Sequence, residues 1–230
     1  SGDSYCDSLN LGGFDDWRLP TIKELYLMQD LQSDTKPPVI PPFQQGLSEK
    51  SIWTSTPYAG GNQVGQMHVN YPDRWYKKGS VQHVFCTRGK VFANDLKDKG
   101  DGTIVDAATN IMWQKCSSGQ DIDSANCASD NSTEKLIWGE ALEYCQRLDL
   151  AGYNDWRLPT VRAFQTLLDY DNKTASGNSY IDPLFTNNTN AWFWTSTVAN
   201  SSISWSMLFS GTYINGSIGI DNDLRVRCMR

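Results

Sequence analysis

The strings Asp16-Trp17-Arg18-Leu19-Pro20-Thr21 and Asp155-Trp156-Arg157-Leu158-Pro159-Thr160 each set a carboxylate, an indole and a guanidinium side by side. Those groups are the raw material of an active site, and the string occurs twice. A repeated Asp and Arg is explained as well by an ion pair. In that reading Trp and Leu are core, Pro-Thr starts a helix, and Arg pairs with a carboxylate that pins the turn. Other catalytic arrangements fare worse. The two histidines, His68 and His83, both fall in the first copy, so a His triad or zinc site duplicated in both copies is excluded. No Gly-x-Ser-x-Gly elbow occurs. Asp98, Asp101 and Asp106 form an acidic group, as do Asp221, Asn222 and Asp223. Hard oxygen ligands suit calcium, but no complete calcium loop is present. Asp98-Lys99-Gly100-Asp101-Gly102 reads as a hairpin turn. The expectation is no cofactor and no metal, with Asp221 and Asp223 as the calcium candidates. No enzymatic activity is expected.

The repeat runs well beyond the hexapeptide. Tyr5-Cys6 through Thr21 matches Tyr144-Cys145 through Thr160 at a constant offset. Trp53-Thr54-Ser55-Thr56 then matches Trp194-Thr195-Ser196-Thr197, and Val84-Phe85-Cys86 matches Val226-Arg227-Cys228. A repeat of this length is a domain rather than a solenoid unit. The expected modules are 1–89 and 90–230. Ser1 aligns with Glu140, so the first module starts inside a helix and lacks the strands that open the second. Either something else completes it, or it is a variant that does without them.

Six cysteines respect the same symmetry. The equivalent positions imply Cys6–Cys86 and Cys145–Cys228, which leaves Cys116–Cys127 inside an insertion of the second copy. No CxxC pair supports a metal reading. Disulfides imply an extracellular or cell-surface location, or the periplasm. No signal peptide is present, which reads as a mature fragment. No apolar run reaches membrane-spanning length.

Net charge is −6 over 230 residues. Residues 1–89 carry 8 basic and 9 acidic side chains; residues 90–230 carry 12 and 17. Binding to nucleic acid is disfavoured by that sign. Nine Trp and ten Tyr are many for this length; some belong to the core, and so many aromatics also suit a binding surface.

The elements around these residues are legible. Ile104-Val105 and Ile111-Met112-Trp113 read as a strand pair. Helical spacing runs from Glu134 to Leu148 and turns Cys145 inward. A second helix follows each Pro-Thr. Thr21 with Glu24 forms a capping box, and the box is absent in the second copy, where Ala163 stands at that position. Trp192–Thr197, Met207–Phe209, Tyr213-Ile214 and Leu224–Met229 read as a short antiparallel set. Helices and antiparallel strands in this order make an α+β fold.

Asp101-Gly102-Thr103, Met112-Trp113-Gln114-Lys115, Trp138, Cys145, Ala151-Gly152-Tyr153, the Asp-Trp-Arg-Leu-Pro-Thr string, Trp194–Thr197 and Val226-Arg227-Cys228 together resemble the bacterial DUF1566 family, the domain that closes the Legionella collagen-like adhesin. The resemblance covers 90–230 and the matching later parts of 1–89. It implies C-type-lectin-like modules in tandem, in which a first-helix cysteine bridges to the last strand. It also implies an adhesin, secreted or at the surface, that binds carbohydrate or protein. Formylglycine-generating enzymes share the fold but need reactive cysteines, and here every cysteine has a structural partner. A structural part of a pilus or stalk tip, with partner subunits, is the other reading.

Between the Trp-Thr-Ser-Thr string and the last cysteine the two copies diverge. Aromatics interleave there with Asn, Ser and charge, which suits sugar stacking and protein contacts alike. The candidate ligand-binding residues are Tyr71, Arg74, Trp75, Tyr76, Lys77 and Lys78 in the first module, and Trp205, Tyr213, Asn215 and Asn222 in the second. The family's association with sulfated glycosaminoglycans invites heparin as a ligand. Charge confines that expectation to Arg74, Lys77 and Lys78; the acidic second module is expected to meet a neutral glycan or a protein.

Overall fold

The computed structural model describes residues 2–29, 51–57, 63–68, 71–77, 82–120, 127, 134–169, 180–185, 191–210 and 213–230, with backbone alone over 63–68, 71–77 and 213–217. The chain forms two compact units, Ser1–Phe92 and Ala93–Arg230. Both combine short helices with small antiparallel sheets, an α+β architecture. Among the described residues no helix is long and apolar enough to cross a membrane.

Unit 1 runs α1 (Gly2–Asp7), β1 (Trp17–Arg18), α2 (Ile22–Leu27), β2 (Ser51–Pro57), β3 (Gln63–His68), β4 (Tyr71–Lys77) and β5 (Thr87–Arg88). β2, β3 and β4 form a meander, and β5 pairs with β1. Thr21 caps α2. Its hydroxyl accepts from Glu24 N–H while the Glu24 carboxylate accepts from Thr21 N–H at 2.8 Å. Ile22, Leu25 and Tyr26 are buried, as their spacing requires; Met28 ends the helix as its C-cap.

Unit 2 runs β6 (Leu96–Asp98), β7 (Thr103–Asp106), β8 (Ile111–Gln114), α3 (Trp138–Arg147), α4 (Val161–Thr166), β9 (Trp192–Asn200), β10 (Ile203–Leu208) and β11 (Tyr213–Gly219). β6 adds a third strand to the expected opening pair. Asp98–Gly102 is the turn between β6 and β7. Asp98 accepts from Gly100 N–H and from Lys115 Nζ at 2.6 Å, and Asp101 accepts from Thr103. Buried Asp106 accepts from Asn94, Thr109 and the N–H groups of Asp95 and Ala108. These three carboxylates hold turns. Turn capping accounts for their grouping.

Two expectations are corrected. α3 begins at Trp138, not Glu134, because Leu136 exchanges two backbone bonds with Leu224 and is held extended. Leu224–Met229 is not a regular strand. Leu224 bonds to Leu136, Arg225 to Trp192 and Trp194, Val226 to Ser118, Cys228 to Gln114 and Met229 to Arg157. Each neighbour keeps it for only a residue or two, so no ladder develops, yet Val226 through Met229 is buried.

The core of unit 2 has two parts. Ala141, Cys145, Leu150, Trp156, Leu158, Trp194, Val226 and Cys228 pack around the disulfide. Beside them Trp113 stacks on Phe164 at 5.6 Å, and Phe209 meets Phe164 and Phe193 edge-on. The fully buried Arg227 lies over the rings of Phe185 and Phe193 and donates to the Gln114 and Lys115 carbonyls. Burial pushes its guanidinium down to about 9, still above neutral pH, so it remains a cation held by carbonyls and ring faces.

Candidate ligand-binding surface

The repeated strings resolve into structural roles. Ser55 N–H donates to the Pro20 carbonyl at 2.8 Å, and Ser196 N–H donates to Pro159 at 2.8 Å. Thr56 Oγ1 accepts from Ile22 N–H at 2.9 Å, and Thr197 Oγ1 accepts from Val161 N–H at 3.1 Å. The Trp-Thr-Ser-Thr strand therefore clamps the Pro-Thr helix start in both units and satisfies a donor that the first helical turn leaves open.

The acid and base of the Asp-Trp-Arg string do not pair with each other. Asp16 pairs with Arg88 at 2.8 Å and Asp155 with Arg230 at 2.6 Å; each arginine lies two residues past the last cysteine. Each also stacks on an aromatic, Arg88 over Phe14 at 3.6 Å and Arg230 over Tyr153 at 3.7 Å. The hydrogen bonds from these arginines hold Asp16 and Asp155 below the usual carboxylate range. This clasp of aspartate, arginine and aromatic ring was not read from the sequence. Its signal was available: Arg88 and Arg230 hold equivalent places after Cys86 and Cys228. Arg18 forks onto Glu24 at 2.7 and 2.9 Å. Its counterpart Arg157 has no such partner, because Ala163 replaces Glu24; it is exposed. Trp156 is buried as expected, whereas Trp17 is only half-buried, its indole N–H turned to the Leu11 and Phe14 carbonyls.

The three disulfides join Cys6 to Cys86, Cys116 to Cys127 and Cys145 to Cys228, the pairs read from the repeat. Three disulfides fit an oxidising compartment. The bridges tie the first helix of each unit to its last segment, and on that frame the divergent strands are carried. Tyr71, Arg74, Trp75, Tyr76 and Lys77 all fall on β4, the outer strand of its meander. Tyr213 and Asn215 fall on β11, which holds the same outer place in unit 2. Lys78 lies outside the described residues. Trp205 is half-buried on β10, and its indole nitrogen is enclosed without an acceptor among the described residues. Asn222 is committed locally, its backbone and side-chain N–H groups both donating to the Gly219 carbonyl. Asp221 and Asp223 are exposed on the same turn. Among the described residues no group of three or more His, Cys, Asp or Glu side chains is placed to hold a metal ion.

Beside that turn lies a cleft of about 170 Å³ lined by Lys135, Ala191, Trp192, Asp223, Leu224 and Arg225. Its floor is set by the two-way backbone exchange of Leu136 with Leu224 and by Arg225, whose N–H donates to the Trp192 carbonyl and whose carbonyl accepts from Trp194 N–H, so the flanking side chains project from fixed points. Burial lowers the Arg225 pKa from its ordinary value. The lining offers two cations, one carboxylate and an indole. Sequence reasoning named only Asp223 of these, because Lys135 and Trp192 are brought to the turn by contacts across the whole unit.

A family model, the Lcl C-terminal domain, matches residues 1–88 and again 102–230. The chain belongs to the Lcl C-terminal domain family. It carries two tandem copies of that domain. The two copies of the Lcl C-terminal domain share the cysteine bridge, the strand clamp and the aromatic clasp. A search among curated proteins returns no match.

Proposed function

We propose that the chain is a non-enzymatic binding protein of the cell surface or the extracellular space, built from two C-type-lectin-like modules that recognise a glycan or a protein surface. The observation that carries this reading is the division of labour within each unit. Bridge, clamp and clasp repeat almost atom for atom, while the outer strands β4 and β11 and the turn after β11 differ between copies. A constant frame that bears variable aromatic and polar segments is the build of a recognition module. The lectin-like assignment is supported by the first-helix cysteine bridged to the last segment in both units.

In unit 2 the contact surface is the cleft of Lys135, Trp192, Asp223 and Arg225 together with Trp205 and Asn222. Its size suits one sugar ring or one side chain, with the indole for an apolar face and the charged groups for hydroxyls or a carboxylate. In unit 1 the contact surface is β4. The test is a glycan array probed with the whole chain and with Trp192→Ala and Lys135→Ala. The expected result is a reproducible hit weakened at least about tenfold by either change, a loss of about 1.4 kcal/mol. A silent array from a chain that forms a stable oligomer would favour a structural part of a surface assembly. Turnover of a peptide thiol would overturn both readings.

A further inference from the structure

Residues 89–95 run from β5 of unit 1 to β6 of unit 2 and form no helix or strand of their own. Each end of the stretch is nevertheless held by a carboxylate of its own unit. On the unit 1 side that carboxylate is Glu24. It takes the Arg18 fork, accepts from Thr21 N–H, and also accepts from Phe92 N–H. Arg18 in turn donates its Nε to the Gly89 carbonyl at 3.0 Å. Gly89 and Phe92 are thus tied one to each member of the ion pair. Lys23 lies over the Phe92 ring at 5.1 Å and is only 8% exposed.

The second copy shows what Glu24 is not needed for. α4 forms with Ala163 at the same place, capped by the Thr160 side chain alone. A threonine cap suffices to start the helix, so the Arg18–Glu24 pair in unit 1 is free for a second task. On the unit 2 side Asp106 plays the matching part. Its two oxygens accept from Asn94 Nδ2 at 2.7 Å and from Asp95 N–H at 2.9 Å, and the Asp95 carbonyl accepts from Ala107 N–H at 2.9 Å. Between the two holds stands Ala93, which is exposed.

We infer that residues 89–95 are an acid-released connector: Glu24 and Asp106 latch its two ends at neutral pH and leave Ala93 as the joint, and protonation of both carboxyls frees the whole stretch. Among the described residues the charged side chain that faces Glu24 is Arg18, from β1; its other donors are Thr21 and Phe92. Asp106 meets uncharged donors from Asn94, Asp95, Ala108 and Thr109, while the carboxylate of Asp95 pairs with Lys97. Burial would raise both carboxyls, but these donors outweigh it and hold both below their ordinary values. Both latches are therefore closed at pH 7 and open as pH falls through the lowered values. A neutral carboxyl is the weaker acceptor, and it leaves Arg18 without its fork. Each freed residue adds at most about 3.5 Å of reach. The inference holds whichever ligand the units take.

The test is amide hydrogen exchange of the whole chain from about pH 7 down to about pH 2, with each rate expressed as protection against the unstructured rate at the same pH. The amides of Phe92 and Asp95 report the two latches. Those of Ser55 and Gln114, bonded to the Pro20 and Cys228 carbonyls, report the folds of unit 1 and unit 2. Phe92 and Asp95 should be protected at neutral pH. In acid each should lose at least about tenfold more protection than Ser55 and Gln114, Phe92 below pH 4.5 and Asp95 below pH 3.8. At neutral pH, Glu24→Ala should open Phe92 at least about tenfold more than Ser55 and leave Asp95 unchanged, and Asp106→Ala should open Asp95 and leave Phe92 unchanged. The two variants decide the matter where acid also melts a unit. Phe92 or Asp95 unprotected in the parent at neutral pH would overturn the inference. So would protection that survives acid in a folded chain, or a Phe92 amide that Glu24→Ala does not move.

Discussion

Glu24 and Ala163 occupy the same place in the two copies and give the sharpest single-residue contrast. Burial would raise the Glu24 pKa, but the Arg18 fork and the Thr21 N–H outweigh it and hold the carboxyl below its ordinary value of 4.5. A folded pKa below the unfolded one adds stability at pH above the unfolded value, and that stability is lost as pH falls through the folded one. Glu24→Gln should therefore destabilise unit 1 at pH 7, with the difference from the parent vanishing in denaturant titrations well below pH 4.5. The converse change, Ala163→Glu, completes the box at Thr160 and gives Arg157 a partner. It should raise stability by about 1 kcal/mol at pH 7 and lose that gain in acid. Asp106 follows the same sign. Its pKa is lowered because four donors outweigh burial, so Asp106→Asn, which turns an amide N–H₂ toward the donors of Asn94 or Thr109, should cost about 2 kcal/mol at neutral pH and little in acid. The Glu24 box was legible because its partners are three residues apart. The Asp16–Arg88 and Asp155–Arg230 clasps were not, because their partners meet only after the chain has closed on its disulfide.

Among the elements, the strand that carries Trp-Thr-Ser-Thr fixes the start of the Pro-Thr helix in each unit. Its role was hidden in the sequence, where four polar and aromatic letters read only as β-propensity. What the letters do not show is that Thr56 and Thr197 accept from a helix start in another part of the chain. Thr197→Val keeps the shape and removes the acceptor, which leaves Val161 N–H buried and unpaired. The expected cost is about 1–3 kcal/mol. Thr56→Val should cost a similar amount in unit 1, and the two changes should add, since each acts within its own unit. The first helix of unit 2 was legible through its periodicity, but its start was not, because Leu136 is claimed by Leu224 before the helix can begin. The last segment was misread as a strand for a related reason. Its backbone is extended and bonded, but the bonds are shared among several neighbours instead of one.

At the scale of the whole molecule, the three bridges should contribute unequally. Cys6–Cys86 and Cys145–Cys228 span 80 and 83 residues, against 11 for Cys116–Cys127. Chain entropy assigns about 4.5 kcal/mol to each long loop and about 2.8 to the short one. Replacing the Cys116–Cys127 pair by serines should therefore lower the melting temperature of unit 2 less than replacing Cys145–Cys228. Charge is distributed as unequally as covalent constraint. With most of the net charge of −6 on unit 2, any polyanion binding should trace to Arg74, Lys77 and Lys78. Heparin retention at low salt should fall when those three become Ala and vanish near physiological ionic strength. Retention that survives the triple change would place the site on unit 2.

The half-buried Cys86 of unit 1 sets how its covalent tie responds to a nucleophile. Thiol–disulfide exchange needs an attacking thiolate to reach a sulfur in line with the bond. Cys228 lies beneath β8 and Cys145 is sealed, so the bridge of unit 2 opens only when the unit itself opens. Cys86 is half-buried, whereas Cys145 and Cys228 are 0% exposed. In dilute glutathione the Cys6–Cys86 bond should therefore exchange first and from the folded state, at a rate that rises with thiolate concentration and does not track added denaturant. The lifetime of that single sulfur–sulfur bond can be read by trapping freed Cys86 with an alkylating agent.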